Sequence, residues 1–180
     1  MQIEVNQALT FLRNGGVILY PTDTIWGIGC DATNPEAIDR VYSIKKRVER
    51  KALISLVFDK KQLEEITEII PEIDITSNPT TIIYPFAKGL STNLISENGS
   101  AGVRIVKDEF CKKLIQKLGN PIVSTSANIS GEPSPTQFSE ISDEIKNNVD
   151  YIVNLRLKEE MSTPSEILLL NDDGSIKKIR

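Results

Sequence analysis

The chain has 180 residues, of which 39% are hydrophobic and 26% charged, and a formal net charge of −4. These values exclude a disordered chain, a membrane-spanning one and a surface that is basic all over, and they predict a single domain over 1–180. Histidine is absent, so Ser-His-Asp and Cys-His nucleophile pairs, HExxH zinc sites and imidazole bases are all excluded.

The two cysteines, Cys30 and Cys111, cannot build a zinc site by themselves. The opening residues MQIEVNQ carry neither a basic n-region nor an apolar h-region. Apolar runs fall far short of the roughly 18 residues of a membrane span. A reduced, cytoplasmic setting with no membrane partner is expected, with both cysteines as small buried apolar residues.

In chain order, residues 4–14 set Val5, Ala8, Leu9 and Leu12 at helical spacing ahead of Gly15-Gly16 and predict a helix. Residues 17–20 form an apolar run ending at Pro21, which predicts a buried strand. Thr33-Asn34-Pro35-Glu36 combines a capping residue, an early proline and a first-turn acid. A helix should start there, turn Ala37, Ile38, Val41 and Ile44 inward, and end among 45–47. Residues 52–58 predict a second strand, and Leu63, Ile66, Thr67 and Ile70 a helix over 60–70. Residues 71–79 read as a surface loop. Strands are expected over 80–84 and 102–106, then a helix capped by Asp108 and closed by Gly119, then a strand over 122–125. A polar loop with Gly131, Pro133 and Pro135 leads to a helix near 137–147. Strands over 151–155, 166–170 and 176–179 close the chain. Some strands follow one another with no helix between, so the expected fold is α/β (α+β) with a mixed sheet.

Five stretches could carry chemistry. Residues 40–51 hold six cations and one acid, which leaves the rest of the chain at a net −9. Such a patch on an acidic protein suits an anion such as phosphate, although cations also complement a solvated helix C-terminus. Pro21-Thr22-Asp23-Thr24 follows the first strand, where open α/β folds place ligands, and is equally good turn chemistry. Gly27-x-Gly29-x-x-Ala32 formally fits a dinucleotide fingerprint but does not open a helix. Ser124-Thr125-Ser126-Ala127-Asn128-Ile129-Ser130-Gly131 is dense in donors for phosphate oxygens at a strand end, or is a capping turn. Arg104 sits within the apolar strand Gly102-Val103-Arg104-Ile105, where the pattern favours a solvated face over a cleft.

In this order, Y-P-T-D-T-x-W-G-x-G-C-D-A, K-x-R ahead of a strand, G-V-R, and S-T-S-A-N-x-S-G-x-P-S-P resemble the YrdC-type threonylcarbamoyl-AMP synthases. The resemblance runs from Gly16 to about Pro135, with weaker echoes to Arg180. It implies a twisted mixed β-sheet flanked by helices around a basic central cleft, in the minimal one-domain form. The implied reaction is a nucleotidyl transfer that joins L-threonine, bicarbonate and ATP into L-threonylcarbamoyladenylate and releases pyrophosphate. The product would serve the threonylcarbamoyl modification of tRNA adenosine 37 through a downstream tRNA threonylcarbamoyl-transferase complex. Mg²⁺ would travel with the ATP, and the basic patch at 40–51 would make at most a weak tRNA contact.

By the same resemblance, Lys45, Arg47, Ser126 and Asn128 are the catalytic, phosphate-contacting set. Lys51, Ser100, Ser134 and Arg180 match further nucleotide contacts. Thr22, Thr24, Ser124 and Ser165 match the threonine pocket, and Arg104 the arginine that holds the threonine carboxylate. The chain departs from the family pattern at Trp26, which would keep an aromatic wall in place of Tyr, and at Val48, Ala52 and Glu166. Two alternatives compete: a YciO-like paralogue without synthase activity and a non-enzymatic RNA-binding module. The intact Ser126-x-Asn128 pair favours the synthase, and the acidic remainder of the chain disfavours a long RNA footprint.

Overall fold

The computed structural model describes residues 1–46, 53–75 and 77–180. Its frame is a twisted mixed sheet in the order β7-β1-β2-β6-β3-β5-β4-β8-β9. These strands are β1 (Ile18–Pro21), β2 (Trp26–Gly29), β3 (Ile54–Val57), β4 (Thr80–Tyr84), β5 (Ala101–Ile105), β6 (Ile122–Ser126), β7 (Tyr151–Ile152), β8 (Glu166–Leu170) and β9 (Ile176–Lys178). Three pairs are parallel (β1–β7, β3–β5 and β4–β8) and five are antiparallel. The mixed sheet expected from the alternation of elements is what the chain forms.

Among the described residues five α-helices flank this sheet: α1 (Gln2–Arg13), α2 (Pro35–Ile44), α3 (Lys60–Glu64), α4 (Glu109–Leu118) and α5 (Asp143–Asn148). Their ends follow the local chemistry of the sequence. Asn34 caps α2 by accepting from Ala37 N at 3.0 Å, with Pro35 in the first turn. Asp108 caps α4 by accepting from Cys111 N at 2.9 Å, and Gly119 ends it in a left-handed conformation at φ 85°.

The strand period of two divides the core. One sheet face sends Ile18, Tyr20, Leu56 and Ile122 into a cluster with Val5, Ala8 and Leu12 of α1 and Phe110, Leu114 and Ile115 of α4. The other face sends Leu19, Ile28, Val57, Val103 and Val123 against Ala37, Ile38 and Val41 of α2 and Leu63 of α3. Both cysteines are buried and free, and burial pushes both thiols well above their ordinary range, so neither is poised as a nucleophile.

Three sequence expectations are corrected. The helix expected over 60–70 is only α3; past it Ile66 and Thr67 remain buried in a turn, where the Thr67 hydroxyl accepts from Ile69 N at 3.2 Å. The helix expected near 137–147 is broken into a 3₁₀ turn at Phe138–Glu140 and the short α5, because Ser142 starts a new cap by accepting from Ile145 N. The sequence argued against a dinucleotide loop at Gly27-x-Gly29, and none forms there. The stretch lies in β2, which the sequence reading did not identify as a strand.

The glycine at position 29 has a steric reason. A Cβ there would lie 1.8 Å from Val123 O of β6 and 3.0 Å from the Tyr20 ring. Glycines inside strands often mark such a close backbone approach. At Gly27 the nearest atom to a Cβ would be the Ser124 hydroxyl at 3.1 Å, which can rotate aside. Gly29→Ala should therefore destabilise the protein by about 3 kcal/mol in urea unfolding, and Gly27→Ala by about 1 kcal/mol. Equal losses at the two positions would contradict the assigned packing.

Candidate active site

Pro21 pairs with Trp26, so Thr22-Asp23-Thr24-Ile25 is the turn of the β1–β2 hairpin. The Thr22 hydroxyl organises it. It donates to Ile25 O at 2.8 Å, accepts from Thr24 N at 3.1 Å, and lies 2.9 Å from the Thr24 hydroxyl. The two readings of this stretch, turn chemistry and ligand loop, are thus compatible. Thr22 is consumed by the turn, which presents Thr24 to a cleft.

That cleft has about 250 Å³ of room. The strand period explains where it opens. Ile54, Gly102 and Ser124 are in register across β5, β3 and β6, on the same face as Leu56 and Ile122 but two residues further along. There Ile54 is flanked by a glycine and a hydroxyl, Gly102 and Ser124, in place of further large apolar side chains. No α1 or α4 side chain lines this part of the face.

Thr24, Arg104, Ser124, Ser126, Ser134, Ser165 and Arg180 all line the cleft, brought there from five separate segments. Ser165 shares a 2.8 Å hydrogen bond with Thr81 of β4, and Arg180 donates to Ser165 O at 3.0 Å. Thr22 braces the cleft without lining it, and Ser100 is turned to Asn98 by a 2.7 Å hydrogen bond. Asn128 lines an adjoining hollow that shares Ser134 and Pro135 with the cleft. Arg47 and Lys51 lie outside the described residues.

Arg104 overturns the expectation of a solvated face. Its side chain is 2% exposed and its Nη2 lies 3.1 Å from Asp23 Oδ1, whose side chain is 8% exposed. Asp23 Oδ2 accepts from Lys107 N at 3.0 Å. The turn is held from outside by Arg156, whose Nη1 donates to Thr22 O and to Asp108 Oδ2, both at 2.8 Å. Glu159 holds the other edge of the same guanidinium. Asp23 was legible as the acid of P-T-D-T, but its role was not. Nothing in the sequence pointed to Arg156 or to the cleft-lining Met161.

The basic run at 40–51 is not one anion patch among its described residues. Arg40 makes a bidentate pair with Asp150 at 2.8 and 3.0 Å, and Lys46 Nζ lies 2.6 Å from Glu144. Lys45 is 3% exposed. Its Nζ donates to Ser126 O at 2.6 Å and to Asn128 O at 2.8 Å, with the Ser126 hydroxyl at 3.4 Å. Lys45 thus ties the C-terminus of α2 to the S-T-S-A-N segment. Trp26 is likewise no wall of this cleft: it is fully buried and packs on Phe138, with ring centroids 5.1 Å apart.

The twisted mixed sheet with its flanking helices defines a class of fold shared with known proteins. A family model for Sua5, YciO and YrdC proteins, described as telomere recombination, matches residues 10–180. The chain belongs to this Sua5/YciO/YrdC family. The threonylcarbamoyl-AMP synthase of Pseudoalteromonas translucida is 34% identical over 161 residues, covering 85% of this chain and 86% of its own. That of Coxiella burnetii (strain RSA 331) is 34% identical over 135 residues, covering 72% and 73%. Among solved structures, Pyrococcus abyssi Sua5 with H234A/Y235A superposes with a TM-score of 0.87 at 26% identity, over all of this chain and 56% of its own. P. abyssi Sua5 complexed with L-threonine gives 0.85 at 24%, and Escherichia coli YciO 0.84 at 24% with 89% of that chain covered. The chain spans about half the length of the Sua5 structures.

Two measurements test this geometry. Lys45→Met removes the donor from two part-buried carbonyls and should cost about 2 kcal/mol in urea unfolding, and an unchanged midpoint would contradict the tie. Arg40 holds the Asp150 carboxylate below its ordinary range, chiefly by hydrogen bonding. A lowered folded pKa means the pair's stabilisation is complete above the unfolded pKa of Asp and lost as acid protonates the folded group. Asp150→Asn should therefore flatten the acid limb of a stability–pH curve below about pH 4.

Proposed function

We propose that this chain is an L-threonylcarbamoyladenylate synthase. The observation that carries the reading is the convergence in one cleft of Arg104, Thr24 and Ser124 with Ser126, Ser134 and Arg180. It is supported by the relatives named as threonylcarbamoyl-AMP synthases and by the L-threonine in the complex of P. abyssi Sua5.

The threonine amine adds to the carbon of bicarbonate-derived CO₂ and gives a carbamate, losing a proton. A carbamate oxygen then attacks the α-phosphorus of ATP, and the bond to the β-phosphate bridging oxygen breaks to release pyrophosphate. This step needs alignment and neutralised charge more than a protein base, which suits a chain without histidine. In this reading Arg104 takes the threonine carboxylate, while Thr24, Ser124 and Ser165 pack around the amino acid. Lys45, Arg47, Lys51 and Arg180 neutralise phosphates, and Ser126, Asn128 and Ser134 orient the nucleotide. Lys45 contributes first by holding the Ser126–Asn128 backbone.

Among the described residues no three His, Cys, Asp or Glu side chains converge. The neutral hydroxyls of the cleft suit a hydrated Mg²⁺ carried in on the triphosphate, where it would neutralise developing charge. Among the described residues no helix is long and apolar enough to cross a membrane. The proposal places the enzyme in the cytoplasm, passing its product to a tRNA threonylcarbamoyl-transferase complex. Because Arg40 and Lys46 are paired with acids, any tRNA contact at 40–51 is a weak one.

Purified protein with ATP and Mg²⁺ should release pyrophosphate only when threonine and bicarbonate are both present. ATP binding without release would favour the YciO-like reading, and no ATP binding would favour an RNA-binding module. Arg104→Ala should raise the threonine KM about tenfold or more while leaving the ATP KM within about twofold. Lys45→Ala and Arg47→Ala should lower kcat/KM for ATP by at least about a hundredfold. Equal effects of Arg104→Ala on both substrates would reject the carboxylate role.

A further inference from the structure

The proposed reaction brings two kinds of anion into one cleft. An arginine fork suits a phosphate as well as a carboxylate, so geometry alone does not keep a triphosphate off Arg104. Charge can. A triphosphate carries several negative charges, whereas the amino acid is a zwitterion with none net.

The surroundings of Arg104 are balanced against a polyanion. Asp23 Oδ1 lies 3.1 Å from Nη2, with both side chains almost entirely withdrawn from water. Neither Asp23 Oδ1 nor Arg104 Nε has a hydrogen-bond partner, so the contact between the residues is one of charge without hydrogen-bond alignment. Asp23 cannot swing away, because Oδ2 is held by Lys107 N and the preceding carbonyl by Arg156. Arg156, which holds the turn from outside, faces two acids, Asp108 and Glu159. By contrast, Arg180, which also lines the cleft, donates to a neutral carbonyl, Ser165 O.

We propose that Asp23 is a specificity-determining residue. It acts through Arg104, cancelling the local charge so that this end of the cleft accepts a zwitterionic carboxylate and refuses phosphate. The inference rests on reading the cleft as the shared site of threonine and ATP. In a buried site of low effective dielectric, one added or removed unit charge at this distance outweighs small differences in hydrogen-bond geometry.

The test is calorimetric titration of threonine into wild type, Asp23→Asn and Asp23→Glu, each with and without inorganic tripolyphosphate, with thermal melts as a fold check. The wild-type threonine Kd should be unchanged by tripolyphosphate. In Asp23→Asn it should rise at least about tenfold as tripolyphosphate competes for the uncompensated arginine. Asp23→Glu, which restores the charge, should return to the wild-type pattern. Asp23→Asn with a tripolyphosphate-insensitive Kd would overturn the proposal. So would direct competition between tripolyphosphate and threonine in the wild type, a result that needs no folded variant. Wild type that binds no threonine would instead sink the synthase reading and this inference with it.

Discussion

The cleft depends on one backbone contact, the approach of β2 to β6. β6 is the strand on which the two parts of the sheet meet, with β2 on one edge and β3 on the other. β2 can lie there only because Gly29 has no Cβ to collide with Val123 O. Once β6 is held on both edges, Ser124 and Ser126 project from it at a fixed spacing. Ala127 N donates to Trp26 O at 3.0 Å, so the register persists past the end of the strand into the S-T-S-A-N segment. A side chain at position 29 would disturb the site through the sheet, without touching any residue that meets a ligand.

Charge is handled in the same local way. The described cations near the site are each given a partner suited to their burial. Lys45, almost fully buried, is met by backbone carbonyls. Arg104, equally buried, is met by a carboxylate. Arg40 and Lys46, more exposed, pair with acids at the surface. Buried charges are costly unless paired, and a broken pair leaves the surviving charge stranded. The buried charges of this chain therefore act as fixed points of the site as much as ligands-in-waiting, and Lys45 serves the S-T-S-A-N backbone directly.

Much of the fold was legible because it is written in short-range chemistry. The caps at Asn34 and Asp108 and the left-handed Gly119 depend on residues within one turn of each other, and these boundaries agree with the sequence reading. The misreadings have separate causes. Over 60–70 the apolar residues at helical spacing are buried by a turn, which needs no helix to face them inward. At 137–147 Ser142 competes as a cap inside an apparently continuous pattern. β2 was missed because two glycines stand where a strand would show β-branched residues, and their reason is a strand about a hundred positions away.

For the site, the order of motifs identified a family resemblance, which supplied Ser134 and Ser165, while Ser124 and Ser126 also stood in a donor-rich stretch at a strand end, a local feature. The position of Arg104 was decided only in three dimensions. Alternation along β5 says which sheet face it occupies but not whether that face is covered, and here β1 and β2 deliver Asp23 to meet it. The same holds for Arg156, which reaches Thr22 and Asp108 across 134 and 48 positions. Sequence by itself determined most of the elements and the chemical vocabulary, since caps, turns and strand periods act over a few residues. The partners of the buried charges were left to the tertiary structure, because electrostatic compensation depends on distance through space and is blind to distance along the chain.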